Sequence, residues 1–558
     1  MEKDVEGAKQ TKESECQNGV KKPKRKFPGF RKNLLDYFQE FTGNTGIHGF
    51  KYMGEQERTS CEKFSWVILF CVSLYICINL IIQTYLKWDM SPVLVSFAKS
   101  PTPVWQVPFP AVTICSETKT RQTVYNFTGA YDRLTHGENL TDDEMKRFSD
   151  SSLICDNHLY NDGKKYTDSD TIDYLMSVAP QFSDIFASCK WTLLNESCEN
   201  FFVPLLTEEG LCFTFNMLNR DEVFRDRVYL NDKYMSHGSH SKGWSLEDGY
   251  PKDAAKDTFP RRAMGAGSYA GFFLVLKANI LDFDYICKGP VQGFKVLLHN
   301  PSELPRMSRQ YFRVPLNQEV VVSVKPDMMT TSSGLRGYNP HRRQCYFPTE
   351  RYLSFFQSYT QQNCQIECLA NITLERCGCV AYHMPHENET KICNSGSQVC
   401  MFEAQNELLA MDVDAGLQTA ASTEVPLGCD CLPACTSLTY NAEYSQATYE
   451  YEKMFEAYRV NITAEWPNTH LSRVTLFFKE QQFITSERNE LYGQTDFLAN
   501  CGGILGLFTG FSFLSIIEIL YFLTLRLMCN IKHYGRHYWS GSVRLLDHPQ
   551  YRNPKSKD

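Results

Sequence analysis

Two apolar stretches near the ends constrain most of what this 558-residue chain can become. Phe64–Leu86 (FSWVILFCVSLYICINLIIQTYL) holds 23 residues without a formal charge. As a helix it would run about 35 Å, enough to cross a hydrocarbon core of roughly 30 Å. Phe497–Ile517 supplies another 21 uncharged residues, and past Glu518 the apolar run resumes to Leu525. The first stretch starts too far from Met1, and is too long, to be a cleavable signal peptide, so it is expected to persist as a signal anchor. Two spans put both termini on one side of a bilayer. The predicted division is an amino-terminal region 1–63, a span 64–86, a loop 87–496, a span 497–525 and a tail 526–558.

Charge and cysteine assign the sides. The formal net charge of −7 is a basic–acidic–basic sandwich: 1–63 sum to +3, 87–496 to −14, Glu518 to −1 and 526–558 to +5. A nucleic-acid binder would carry its basic patch on the main domain. A mean hydropathy of −0.36 excludes a many-span transporter, and 13% aromatic residues exclude a mainly disordered chain. Six Asn-x-Ser/Thr sequons, at Asn126, Asn139, Asn195, Asn371, Asn388 and Asn461, all lie between the spans, where a glycosylation machinery would meet them. Lys51, Arg58, Lys63, Arg526, Lys532, Arg536 and Arg544 tilt the positive-inside balance toward cytoplasmic termini. Of 22 cysteines, 16 fall in the 410-residue loop, an even number that reads as an extracellular disulfide framework.

Within that loop, Cys364 and Cys368 are four apart in a helix-like stretch, and Cys429 and Cys431 are two apart before Pro433. Each pair shares one face, so the two pairs fit two rungs of a ladder. The same spacings beside His383 and His386 also suit a zinc site, although an oxidising exterior favours disulfides over a bound metal. Strand-like alternation at Gly293–Leu298 and Glu319–Val324 with a helical stretch at Thr349–Ser358 predicts an α+β ectodomain with a real core. The polar stretch Ser236–Arg262 reads as a surface loop or insertion, with His237 and His240 in it able to titrate near neutrality. Lys21, Lys22, Lys24, Arg25 and Lys26 fit a solvated tail, a topology determinant or a lipid-surface patch. No HExxH or GxSxG constellation is present, so neither an enzyme nor a cofactor is expected.

Ala499, Gly503, Gly506 and Gly510 recur at helical spacing in the second apolar stretch, with Gly502 alongside. Such a stripe suits close helix packing. In several copies around an axis it also suits an ion path in which carbonyls and the Ser512 hydroxyl replace hydration. Glu518 favours the second reading, because an ionisable residue in a span usually faces a bundle interior or a water-filled path. One pair of helices cannot line such a path, so an oligomer follows. A non-conducting two-span receptor or accessory subunit explains the ectodomain but not the stripe with Glu518.

These residues resemble the epithelial sodium channel/degenerin superfamily, which includes the acid-sensing channels. The resemblance rests on Asn44-Thr45-Gly46-Ile47-His48-Gly49 before the first span and Phe109-Pro110-Ala111-Val112-Thr113-Ile114-Cys115 after it. Gly210-Leu211-Cys212-Phe213-Thr214-Phe215-Asn216, the cluster Cys345 to Cys435, and Gly502-Gly503 through Glu518 follow in order. Arg343-Gln344-Cys345-Tyr346-Phe347, Ser358-Tyr359-Thr360-Gln361 and Cys429-Asp430-Cys431-Leu432-Pro433-Ala434-Cys435 are most similar to the insect pickpocket branch.

The resemblance implies an ectodomain of palm, β-ball, knuckle, finger and thumb. It implies a homo- or heterotrimeric, voltage-independent, sodium-preferring channel, sensitive to amiloride-type blockers and gated by a sensory stimulus that is osmotic, chemical or mechanical. It pairs Cys345 with Cys435, Cys364 with Cys431, Cys368 with Cys429, Cys377 with Cys400, Cys379 with Cys393, Cys115 with Cys212 and Cys189 with Cys198, leaving Cys155 with Cys287. It maps the selectivity filter onto Gly510, Phe511 and Ser512, with Phe511 larger than the residue usual there. Ala499 takes the degenerin position and Asn500 an outer-mouth site, while His48 and Gly49 become a re-entrant segment lining the cytoplasmic half of the pore.

Overall fold

The computed structural model describes residues 27–90, 93–155, 163–192, 198–229, 239–418, 428–461, 465–491, 493–548 and 551. The chain divides into two compact units, Val93–Glu490 and a second drawn from Met1–Pro92 and Leu491–Asp558.

Unit Val93–Glu490 is built on two large sheets, with a small two-stranded one between Thr102–Pro103 and Gln482–Phe483. The larger follows the order Val93–Phe97, Ser486–Glu490, Gln318–Thr331, Thr469–Phe478, Phe272–Asn279, Phe186–Trp191, and Ser437–Thr448 pairs antiparallel along Gln318–Thr331. The smaller is antiparallel throughout, in the order Phe202–Thr207, Gly210–Phe215, Ala111–Ser116, Phe294–His299, Phe312–Val314. The sequence alternation works as period two demands. In Phe272–Asn279 every second side chain is buried, and Val320, Val322 and Val324 are fully buried on one face of their strand. Ala111–Ser116 and Gly210–Phe215 are buried along their whole length, and their buried hydroxyls Thr113 and Thr214 hydrogen-bond each other at 2.9 Å. One core joins the inner faces, with Phe109, Trp191, Phe215 and Phe272 at its centre and the Phe215 and Phe272 rings stacked at 4.1 Å.

The helical stretch expected at Thr349–Ser358 is not helical. Its backbone donors are taken elsewhere: the Glu367 carboxylate accepts from the amides of Ser354 and Phe355 at 2.8 and 2.9 Å, and Phe356 bridges to Phe224. The helix begins at Gln361 because the Thr360 hydroxyl caps it, accepting from the Asn363 amide at 3.1 Å, and it runs to Cys377. Arg376 at its end forks onto Glu403 and Glu407 of the next helix, Gln398–Gln418, at 2.9 and 2.5 Å.

Among the described residues eight disulfides link Cys115–Cys212, Cys155–Cys287, Cys189–Cys198, Cys345–Cys435, Cys364–Cys431, Cys368–Cys429, Cys377–Cys400 and Cys379–Cys393. The second partners of the two rungs, Cys429 and Cys431, lie on irregular backbone rather than a strand. With all four thiols bonded to one another, the zinc alternative loses its ligands, and no cluster of three metal-binding side chains occurs among the described residues.

Residues 239–262 of the polar stretch form a pinned surface loop. Trp244 is buried, Tyr250 Oη donates to the Pro260 carbonyl at 2.6 Å, and Asn216 Nδ2 donates to the Arg261 carbonyl at 3.0 Å. His240 approaches Asp221 at 3.6 Å, whereas His237 lies outside the described residues, as do Asn195 and the basic cluster Lys21–Lys26. Asn139, Asn371, Asn388 and Asn461 are exposed, and exposed Asn126 caps the helix Phe127–Thr135.

Candidate ion pathway

Among its described residues the second unit holds two helices long and apolar enough to cross a membrane, Ser60–Met90 and Phe513–Tyr534. Their apolar side chains are largely uncovered in the single chain: Phe64, Tyr75, Phe513 and Leu514 are 67%, 69%, 75% and 66% exposed. A surface of that kind is stable against lipid or other copies, not against water.

The expected continuous second span is broken. A helix Gln494–Thr509 ends, three residues intervene, and a new helix begins at Phe513. The cause is local. Gly510 has φ +66°, a left-handed conformation that glycine adopts without penalty, and its amide closes the first helix on the Gly506 carbonyl at 2.9 Å. Ser512 is extended and starts the second helix: its hydroxyl accepts from the Ser515 amide at 3.3 Å, while its own amide donates to the Ser515 hydroxyl at 3.2 Å. The small-residue stripe therefore stops short. Ala499, Gly503 and Gly506 share a helix face, but Gly510 is the cap. An added Cβ at Gly502, Gly503 or Gly506 would meet nothing within 4 Å, so this backbone lies open.

A helix end leaves carbonyls without partners in the helix. Two of those at this break are satisfied from distant sequence. The His48 amide donates to the Thr509 carbonyl at 2.9 Å, and the Ser73 hydroxyl, in the first long helix, donates to the Phe508 carbonyl at 2.7 Å. The His48 ring lies so close that a Cβ on Gly510 would fall 2.8 Å from three of its atoms. Gly49, at φ +86°, turns the chain beneath Trp66. One helical turn further, Glu518 Oε2 accepts from the Gly46 amide at 3.2 Å and the Thr45 hydroxyl at 3.5 Å.

The segment Thr45–Gly49 is thus docked along the break and the start of the lower helix. Ala499 and Asn500 sit about three turns above the break, exposed, and make no contact with His48 among those described.

Below Glu518 the helix widens into a π-helical turn at Phe522–Arg526, a form frequent at functional sites. The Tyr37 hydroxyl donates to the Phe522 carbonyl, and Arg526 pairs with Glu40 at 2.5 Å. Both partners belong to the helix Phe30–Asn44. Asn33 of the same helix is buried between the Ser540 hydroxyl and the His537 carbonyl.

Sequence reasoning missed Ser73, Ser515, Tyr37 and Glu40. Ser73 carried a signal, a hydroxyl inside an apolar span, and Ser512-x-x-Ser515 is a capping spacing. Tyr37 and Glu40 carried none.

A family model described as ASC, amiloride-sensitive sodium channel, matches residues 41–522, a range that takes in both the docked segment and the break. The chain belongs to this family. Pickpocket protein 28 of Drosophila melanogaster is 29% identical over 496 residues, covering 87% of this chain and 78% of the relative. Pickpocket protein 11 of the same fly is 23% identical over 499 residues, covering 88% and 77%. Acid-sensing ion channel 4-B of Danio rerio is 22% identical over 498 residues, covering 86% and 74%. Family membership makes the chain a membrane protein of sodium-channel type rather than an enzyme.

Proposed function

We propose that the chain is a pore-forming subunit of a trimeric, voltage-independent, sodium-preferring channel of the plasma membrane. Both termini are cytoplasmic, residues 87–496 are extracellular, and amiloride-type molecules block the pore. The observation that carries the reading is the break at Gly510-Phe511-Ser512, braced by His48. In a symmetric assembly each subunit contributes one such break, and three copies ring the axis with backbone carbonyls and the Ser512 hydroxyl, groups that substitute for water around a cation. Gly503 and Gly506 leave open backbone facing the axis above the filter, with Ala499 and Asn500 at its outer mouth. Glu518 supplies a carboxylate below, and His48-Gly49 lines the cytoplasmic half. Opening is a conformational equilibrium biased by a stimulus on the ectodomain; no bond is made or broken.

Expression in a low-background cell tests this. Ala499→Cys, with thiol modification to enlarge the side chain, is expected to give sustained inward sodium current that amiloride blocks. Gly510→Val is expected to abolish current or sodium preference. Absence of current despite surface expression, alone and with related subunits, would refute the conducting role and leave an accessory subunit.

A further inference from the structure

In unit Val93–Glu490 two cavities of about 260 and 280 Å³ share the walls Leu206, Leu304, Tyr382, His383 and Met384. Either is larger than the roughly 150 Å³ apolar cavity that suffices for benzene. His383 sits on a turn fixed on both sides: the Met384 amide donates to the Ala381 carbonyl at 2.9 Å, and Cys379–Cys393 with the Val380–Ile392 bridge ties the turn's ends. Its Nδ1 is cut off from solvent and has no hydrogen-bond partner among the described residues.

Burial pushes the imidazole pKa down; Glu208 pulls it up and Arg306 down. The ring is therefore neutral near pH 7, with one nitrogen a donor and the other an acceptor. Glu208 and Arg306 line the smaller cavity together and oppose each other in sign. In the larger one Asp168 is already held by Lys164 at 2.7 Å and Lys146 at 3.4 Å. Asp173, the other carboxylate lining the larger cavity, is exposed, and the wall the two cavities share carries no formal charge that would draw an ionic ligand.

We infer that these cavities form a binding site for a small neutral amphiphile of the alcohol class, with its hydroxyl on His383 Nδ1 and its hydrocarbon body against Leu206, Leu304 and Met384. A hydroxyl both donates and accepts, so it satisfies either tautomer, while an apolar body matches the walls. Occupancy is independent of whether the chain conducts.

The test uses the purified full-length chain and octan-1-ol bearing an aliphatic diazirine. Photolysis is expected to label the Tyr382–Met384 peptide, and excess unlabelled octan-1-ol to compete that label away. Label in the transmembrane helices serves as the internal control for partitioning. Leu206→Trp, which fills the shared wall, is expected to remove the cavity label and keep the control. His383→Phe retains the apolar wall but loses the polar atom, and is expected to lower labelling about three- to tenfold. The second variant decides the matter if the first fails to fold. Label confined to the transmembrane helices, as when the cavities hold only water, would overturn the site. So would cavity label that both variants leave unchanged.

Discussion

Gly510→Ala is the sharpest test of the braced break. At φ +66° a side chain costs about 1 kcal/mol relative to glycine. The new Cβ would lie 2.8 Å from three atoms of the His48 ring, so His48 must move and its amide releases the Thr509 carbonyl. That hydrogen bond is worth about 1 kcal/mol more. Together with residual crowding, the docked segment loses roughly 2–3 kcal/mol, a shift of about 30- to 150-fold toward the undocked state. Ile47, buried at 9% exposure, reports on docking. In an Ile47→Cys background, the rate of thiol modification read on that peptide by mass spectrometry should rise by this factor. His48→Ala removes the clashing ring, so Gly510→Ala added to it should cost only the backbone term, and the two effects should be non-additive by at least about 1 kcal/mol. Additive effects, or an unchanged rate in Gly510→Ala, would refute the account of Gly510 as a packing and capping glycine.

Other outcomes follow from the same geometry. Glu518→Ala leaves the Gly46 amide and Thr45 hydroxyl without their acceptor and is expected to lower single-channel conductance; unchanged conductance and permeability would reduce Glu518 to a packing role. Arg526→Glu should weaken docking of the helix Phe30–Asn44, and Glu40→Arg in the same chain should restore it, measured as protection of that helix from hydrogen exchange. Burial pushes the Glu209 carboxyl up, but Lys119, Lys288 and Lys295 outweigh it and hold it at about 2. Its pKa is depressed on folding, so its contribution, up to about 3 kcal/mol, is present above pH 4.5 and lost as pH falls toward 2. Glu209→Gln should flatten that acid limb in thermal unfolding. Burial raises Glu303 to about 7 against weaker opposing effects of Thr360 and Arg309. Its sign is the reverse: stability falls by up to about 3 kcal/mol as pH rises from 4.5 to 7, and Glu303→Gln should remove that decline.

What was legible in the sequence depended on range. The strand alternation at Glu319–Val324 survives because each valine answers only to the pleat and one core. Gly510 was legible as a small residue but misassigned to a continuous helical stripe. Its left-handed turn is a local feature that glycine permits without demanding, whereas the residue packed against it, His48, is remote in sequence. The helical reading of Thr349–Ser358 failed for the same kind of reason, since Glu367 draws off the backbone donors a helix would need. Cysteine spacing allowed two rungs without choosing their partners; the pairing came from resemblance. The contact of Tyr37 with Phe522, separated by 485 positions, left no trace in local pattern.

The bond from Gly46 to Glu518 joins residues 472 positions apart. At about 5–20 residues per second, a ribosome needs roughly 25 to 95 s to travel from one to the other. For that interval the Thr45–Gly49 segment waits for its acceptor while the whole of Val93–Glu490 is made. The break is therefore among the last parts of the molecule to assemble. A chain that stops short of Glu518 cannot complete it, so the docked segment marks a subunit synthesised through its second apolar helix.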